Sequence, residues 1–215
     1  ACAVRAGRFM KNYGLNDPNH NLFVRRDLNF GFDSETYNLE LSHAGQVTSF
    51  FFTYSDGLLF NKDWTTLKEK GTSANWSWFL FNKYKLGVNA YHGQNKSGRR
   101  NIAGIWGAIP YRNFFWLSEF DYQKAITNDA GSSRKGYVTS NRFSYEITQG
   151  FLPFILLEKK NLAHTQATSE QNSIGGGVQW FPRPHWEFIA AAQRASVVTS
   201  GDQSDLIWLM AHFYL

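Results

Sequence analysis

Apolar and polar residues alternate with a two-residue period along much of the chain. Residues 37–42 read Tyr-Asn-Leu-Glu-Leu-Ser, and residues 114–122 place aromatic rings on the face opposite to Glu119 and Asp121. The same alternation recurs in residues 137–146. Successive side chains of a β-strand point to opposite faces, so the pattern predicts strands with one apolar and one polar face.

The alternation, together with the turn residues between the periodic segments, predicts an all-β chain of about twelve strands. The predicted strands are residues 2–9, 35–44, 46–55, 74–83, 85–94, 101–110, 113–123, 136–148, 150–159, 171–181, 185–195 and 204–215.

The links between these strands alternate in length. The short links are residues 43–46, 83–85, 109–112, 148–150 and 181–185, and the long polar links are residues 10–34, 56–73, 94–100, 124–135, 160–170 and 196–205. This alternation is typical of a transmembrane antiparallel up-and-down β-barrel with short periplasmic turns and long extracellular loops. Because no Pro/Ser-rich linker divides the chain, we expect residues 1–215 to form one domain.

The polar strand faces are expected to point into the barrel. The longest apolar runs, such as residues 151–157, are far shorter than the ~20 residues of a membrane-spanning helix. On the lipid-facing side, Arg or Lys at the bilayer midplane costs ~2 to 4 kcal/mol. The residues predicted to line a polar lumen are Glu40, Asn89, Glu119, Asp121, Arg142, Glu146, Gln179 and Glu187.

Aromatic residues make up 17 % of the chain, although the mean hydropathy is only −0.40. Segments 50–52, 76–81 and 151–157 are apolar on both faces, which indicates inward rings that pack against an inserted loop and a partly plugged lumen. Rings near strand ends are expected to form the aromatic girdle of a membrane barrel. These are Trp76, Trp78, Trp106, Trp116, Trp180, Trp186, Tyr84, Tyr111 and Tyr122.

The first long loop, residues 10–34, is unusually long for a compact connection unless it has a function or is disordered. Its apolar residues favour packing over disorder. One alternative is a loop folded into the lumen, which would place His20, Arg25, Arg26 and Asp27 at a constriction. The other is an external cap over the mouth of the barrel.

The formal net charge is +5, and cations concentrate in the long loops. Lys96, Arg99, Arg100, Arg134 and Lys135 are candidates for contacts with the phosphates of lipopolysaccharide and other outer-membrane lipids. Nucleic acid is not an expected partner, because the cations are spread over separate loops without a recognition motif. The single cysteine, Cys2, excludes an intrachain disulfide, and no metal or cofactor motif is present.

The chain ends on an apolar and aromatic segment, residues 208–215, that is expected to pair with the first strand and leave no free edge. With residues 4–9, this segment resembles the terminal strands of Gram-negative outer-membrane β-barrels of the porin kind. It departs from their pattern by ending on Leu215 rather than Phe, although Phe213 has the same facing. The resemblance implies an integral outer-membrane protein whose last strand is recognised by the barrel-assembly machinery.

The primary functional hypothesis is therefore a porin or channel for passive diffusion of small hydrophilic solutes or ions. The alternative is a non-conducting barrel that scaffolds a complex with other envelope proteins. A third hypothesis is an outer-membrane enzyme of the phospholipase type. The His-x-Ser spacing of that family is absent, since Gln94 stands two residues after His92, so we do not expect an enzyme.

Overall fold

The computed structural model describes residues 1–31, 34–57, 68–128, 132–163 and 170–213. All twelve predicted strands are present in it, with one short helix, α1 (Phe23–Arg26), between the first two. The strands are β1 (Cys2–Phe9), β2 (Thr36–Ala44), β3 (Thr48–Asp56), β4 (Lys70–Leu80), β5 (Tyr84–Asn95), β6 (Gly98–Tyr111), β7 (Phe114–Thr127), β8 (Ser133–Tyr145), β9 (Phe151–Asn161), β10 (Glu170–Trp180), β11 (Trp186–Val197) and β12 (Gln203–Phe213). Residues 32–33 of the first loop and 214–215 of the predicted last strand lie outside the described residues.

Each strand pairs with its neighbours in the chain in antiparallel register, which gives one up-and-down sheet ordered from β1 to β12. The predicted pairing of the last strand with the first is not seen within the described ranges, where β1 and β12 are the two edges. None of the described helical residues forms a helix long and apolar enough to cross a membrane.

The burial pattern is the reverse of a soluble sheet protein. In β2, Asn38 and Glu40 are buried on the inner face, whereas Leu39 and Leu41 are about half exposed on the outer face. The same polar-inside, apolar-outside alternation continues in β5, where Asn89 is buried between the exposed residues Val88 and Ala90. An apolar outer band around a polar interior is the arrangement of transmembrane β-barrels.

The strands extend further at the long-loop end than the sequence predicts. The clearest case is the predicted long link at residues 94–100, which is a two-residue turn, Lys96–Ser97, between β5 and β6. The Asn95 Oδ1 atom accepts hydrogen bonds from the backbone N–H groups of Ser97 and Gly98, at 2.9 and 3.0 Å. This side-chain turn gives the backbone partners that a longer loop would otherwise need.

The core lies inside the sheet, between the wall and the first loop. We call residues 10–31 the plug. Its buried apolar residues pack against inward side chains from β5, β6, β8, β9 and β11. The structure therefore favours the loop folded into the interior over the external cap. The apolar core comprises Tyr13, Leu22, Phe23, Val24, Leu28 and Phe30 from the plug and Tyr91, Ile102, Val138, Phe154, Leu156, Ile189 and Ala191 from the wall.

Trp106 is a correction to the predicted aromatic girdle. Its indole ring points inward and donates from Nε1 to the Asn75 Oδ1 atom at 3.1 Å. The ring lies over Gly87, where a Cβ atom would stand 2.3 Å from the indole Cε2 atom. Outward rings of the predicted girdle include Trp76, Trp180, Trp186, Tyr111 and Tyr122.

Candidate functional site

Buried carboxylates of β7 hold the first half of the plug. The Tyr13 hydroxyl donates to the Asp121 Oδ1 atom at 2.8 Å, and the Leu15 backbone N–H donates to the Glu119 Oε2 atom at 3.1 Å. Both carboxylates point inward because they are two residues apart on one strand. These two hydrogen bonds tie residues 13 and 15 to a single strand, so they fix the height of the plug in the interior.

Gly14 lets the plug approach the wall between these two contacts. Its φ is +63°, and a Cβ atom at this position would stand 1.6 Å from the Glu119 Oε1 atom. Its carbonyl oxygen accepts a hydrogen bond of 2.8 Å from the Asn75 amide. Only glycine meets both the left-handed backbone and the close approach at this position.

The helix α1 is held by β9, which lies two strands beyond β7 in the sheet. The Phe23 backbone N–H donates to the Glu158 Oε1 atom at 2.7 Å. The Lys160 ammonium group pairs with Asp27 at 2.8 Å, just after the helix, and lies 4.6 Å from the centre of the Phe23 ring. Two inward residues of one strand thus bind the beginning and the end of α1.

Arg100 attaches the plug to the wall at the long-loop end of the sheet. Its guanidinium pairs with Glu69 at 2.7 Å, donates to the backbone oxygen of Leu28 at 2.7 Å, and reaches Gln123 at 3.2 Å. The Tyr91 hydroxyl also donates to Glu69 at 2.8 Å. The cation joins the plug, the segment before β4 and the strand β7, and we call this arrangement the latch.

Apolar contacts complete the attachment of the plug. The rings of Tyr13 and Phe30 stack at 4.0 Å, and Phe30 meets Tyr91 edge-on at 5.2 Å. Phe154 and Leu156 of β9 point into the same core. The prediction that segment 151–157 sends side chains inward to meet an inserted loop is therefore confirmed.

Seven of the eight predicted lumen residues face the interior, but the plug covers several of them. Asn89, Glu119 and Asp121 lie beneath it. At the short-turn end, Arg142, Gln179 and Glu187 form a hydrogen-bonded chain that continues to His212, whose Nδ1 atom is 2.9 Å from Glu187. Glu146 follows the end of β8 and accepts a hydrogen bond of 2.8 Å from the Gly150 N–H, so it stabilises a turn.

A cleft of about 550 Å³ remains between the plug and strands β1 to β3. Glu40 lies in this cleft, paired with Arg5 at 3.0 Å, and Arg8 pairs with Glu35 at 3.3 Å. The sequence prediction omitted Arg5, although Ala3, Arg5 and Gly7 alternate with Val4 and Ala6 in the expected inward positions. The cleft is lined by Ala3, Arg5, Arg8, Phe9, Met10, Asn12, Asn16, Glu35, Glu40, Ser42 and Phe51.

The four predicted constriction residues do not line this cleft. Arg25 is buried and directs its guanidinium to the Tyr13 carbonyl at 3.4 Å. Asp27 is paired with Lys160, and Arg26 is exposed beside it. Burial and the neighbouring charge of Arg25 lower the pKa of His20. The plug residues that face the cleft are instead Met10, Asn12 and Asn16.

The cations proposed to contact lipopolysaccharide do not share one face of the sheet. Arg100 is a correction, because it belongs to the latch and points inward. Arg134 shares the inward face of Val138, although it is exposed near the rim. Arg99 and Lys135 are exposed and point outward, and Lys96 lies in the turn between β5 and β6. Adjacent residues such as Arg99 and Arg100 point to opposite faces once the strand includes both.

The buried Lys11 makes the stability of plug docking depend on pH. Burial lowers the pKa of its ammonium group to about 8 from 10.5, and the nearby Glu69 opposes that shift. Below pH 8 the docked and undocked plug both carry the charge. Between pH 8 and 10.5 only the undocked plug keeps the proton, so docking becomes more stable as pH rises, by about 3 kcal/mol in total.

We therefore expect hydrogen exchange of the plug backbone, corrected for its intrinsic rate, to slow as pH rises from 8 to 10. The Lys11→Met variant is the matched control, since it lacks the titrating group and should be protected already at pH 7. An equal pH response in the two proteins would contradict the assignment to Lys11.

No protein-family model matches the chain, and no curated protein matches it. Among solved structures, the crystal structure of the outer membrane channel DcaP of Acinetobacter baumannii has a similar fold. The TM-score is 0.60 at 9 % sequence identity, and the match covers 98 % of this chain and 70 % of that chain. The twelve-stranded antiparallel fold is thus similar to that of this channel, although the described sheet is not closed.

Proposed function

We propose that this protein is a channel in the outer membrane of a Gram-negative bacterium, through which small hydrophilic solutes or ions diffuse passively. The observation that carries the proposal is the polar cleft beside the plug, inside a sheet whose outer face is apolar. The fold similarity to an outer membrane channel supports the same function. The resemblance of the last strand to those of outer-membrane barrels implies that the barrel-assembly machinery would insert the protein.

The charges of the cleft favour weak ion selectivity. Arg5 and Arg8 each pair with a carboxylate, Glu40 and Glu35, so these four side chains have no net charge. The amides of Asn12 and Asn16 add neutral hydrogen-bonding groups from the plug. A narrow path with balanced charges suits small polar solutes better than highly charged ones.

The Arg5→Glu variant should make the channel cation-selective. The substitution changes the cleft charge by two units and places the new carboxylate beside Glu40, which would attract cations and repel anions. The measurement is the reversal potential of single channels in a planar bilayer under a salt gradient. Arg112→Glu, an equal charge change in an exposed short turn, is the control and should change the reversal potential little.

A silent bilayer from correctly folded wild-type protein would overturn the channel proposal. Conduction with an unchanged reversal potential in Arg5→Glu would instead place the conducting path elsewhere in the interior. Heat-modifiable migration on a gel reports correct folding in each case, so a negative result can be separated from misfolding.

The alternative, a non-conducting barrel that scaffolds other envelope proteins, is favoured by one observation. The plug fills the interior between β5 and β11 with a buried apolar core and several buried polar contacts. Such packing would hold the wall rigid without any need for a path. The same bilayer experiment decides between the two proposals, because a scaffold predicts no current.

A further inference from the structure

An unusual pair of lysines lies on the outer face of the sheet at the long-loop end. Lys124 of β7 stands directly opposite Lys135 of β8 in the antiparallel register. Both share the outer face with Tyr122 and Tyr137, which are the next pair toward the middle of the sheet. Tyr122 is 40 % exposed on that face, so the two ammonium groups point away from the interior.

Like charges in this position are unfavourable. Side chains directly opposite in an antiparallel pair have Cβ atoms ~4.5 to 5.5 Å apart, and like charges there destabilise the sheet. Arg99 lies on the same outer face of the neighbouring strand β6, opposite Ile126. Among the described residues, no ion pair involves Arg99, Lys124 or Lys135. Three neighbouring strands therefore place at the rim a cluster of positive charge that no ion pair with a described residue compensates.

Other outward cations at the same end of the sheet are compensated within the sheet. Lys70 stands opposite Asp56 and pairs with it at 2.8 Å. Arg194 stands opposite Asp205 and pairs with it at 2.6 Å. Opposite charges are thus the usual cross-strand arrangement at this rim. The cluster on β6 to β8 departs from that arrangement, because its three exposed cations face no acidic residue in the described register.

We propose that Arg99, Lys124 and Lys135 bind the phosphate groups of a phosphorylated lipid, lipopolysaccharide, in the outer leaflet. Ammonium and guanidinium groups form short charge-assisted hydrogen bonds with phosphate oxygens. The tyrosine pair below the cluster matches the level where amphipathic rings meet lipid headgroups. The proposal rests on the proposed membrane location but not on conduction, so a silent channel would leave it standing.

The test is binding of lipopolysaccharide, and of the same lipid with its phosphates removed, to detergent-solubilised protein. The variant Lys124→Gln/Lys135→Gln should bind the phosphorylated lipid about thirty-fold more weakly, since each cation near an anionic lipid surface contributes a factor of about five. Its affinity for the dephosphorylated lipid should stay unchanged. Lys83→Gln/Arg112→Gln removes the same charge from short turns at the opposite end and should bind like the wild type.

Equal weakening in both double variants would mean that net charge alone drives binding, and it would overturn the site. Equal wild-type affinity for the two lipids would also overturn it. A third arm adds inorganic phosphate. If millimolar phosphate displaces the lipid completely, the cluster is a site for the free anion and the lipid proposal fails.

A single substitution, Lys135→Glu, gives a second readout that does not depend on the double variant folding. It would create the opposite-charge arrangement found at Lys70 and Arg194, so the detergent-solubilised barrel should unfold at a higher temperature. The same change should weaken binding of the phosphorylated lipid. A variant that loses thermal stability and keeps lipid affinity would contradict the proposed role of the pair.

Discussion

Replacement of residues 12–29 by a short Gly/Ser linker should raise the single-channel conductance several-fold. The plug fills most of the interior, and its removal would join the cleft at β1 to β3 with the space now closed by the apolar core. The carboxylates of Glu119, Asp121 and Glu158 would then contact water, so no buried charge would be left without a partner. The wall keeps its complete strand ladder and its apolar outer band.

The measurement is conductance in a planar bilayer, with heat-modifiable migration as the check on folding. A matched control replaces residues 198–202, the loop between β11 and β12 at the same end of the sheet, and should leave conductance unchanged. A deletion variant that folds and conducts like the wild type would show that the plug does not limit the path.

Arg100→Leu should destabilise plug docking by about 3 to 5 kcal/mol, the usual cost of removing one partner of a buried ion pair. The substitution would remove the guanidinium from the buried Glu69 and leave the Tyr91 hydroxyl as its hydrogen-bond donor among the described residues, with the Lys11 ammonium nearby. It would also free the carbonyl of Leu28. We expect the backbone amides of the plug to exchange faster by two orders of magnitude or more, since each ~1.4 kcal/mol is a factor of ten.

Arg99→Leu is the control for that variant, because the neighbouring arginine is exposed and points outward. It should change plug exchange little. The double variant Arg100→Leu/Glu69→Met removes both charges and should recover part of the loss, which a double-mutant cycle measures as the coupling of the pair. Unchanged protection in Arg100→Leu would mean that the latch does not hold the plug.

The two experiments together distinguish the two proposed functions. A channel with a weakened latch should conduct in larger steps or open more often, because the plug would leave the interior more easily. A scaffold with the same weakened latch should show faster hydrogen exchange of the plug and lower thermal stability, and it should carry no current. A variant with a weakened latch can therefore be examined both by hydrogen exchange of the plug and by conductance in a planar bilayer.

The sequence by itself determined the number of strands, their order and most of their facing. The reason is that the facing of strand residues is a local property. The alternation of apolar and polar residues such as Leu39 and Glu40 predicts which face each side chain occupies, whichever strand pairs beside it. The inward position of Arg5 was also readable in this way. Boundaries at the long-loop end were not, because polar residues there fit a loop as well as the extended end of a strand.

Only the tertiary structure decided the path of the plug, the composition of the latch and the position of the cleft. The hydrogen bond between Leu15 and Glu119 joins residues 104 positions apart, and no local pattern specifies it. Whether Arg100 points inward or outward depended on the exact position of the turn between β5 and β6. A shift of one residue in that turn would move every following side chain to the other face of the strand. The sequence left an inserted loop and an external cap as two open alternatives, and the fit of the plug to the wall decided between them.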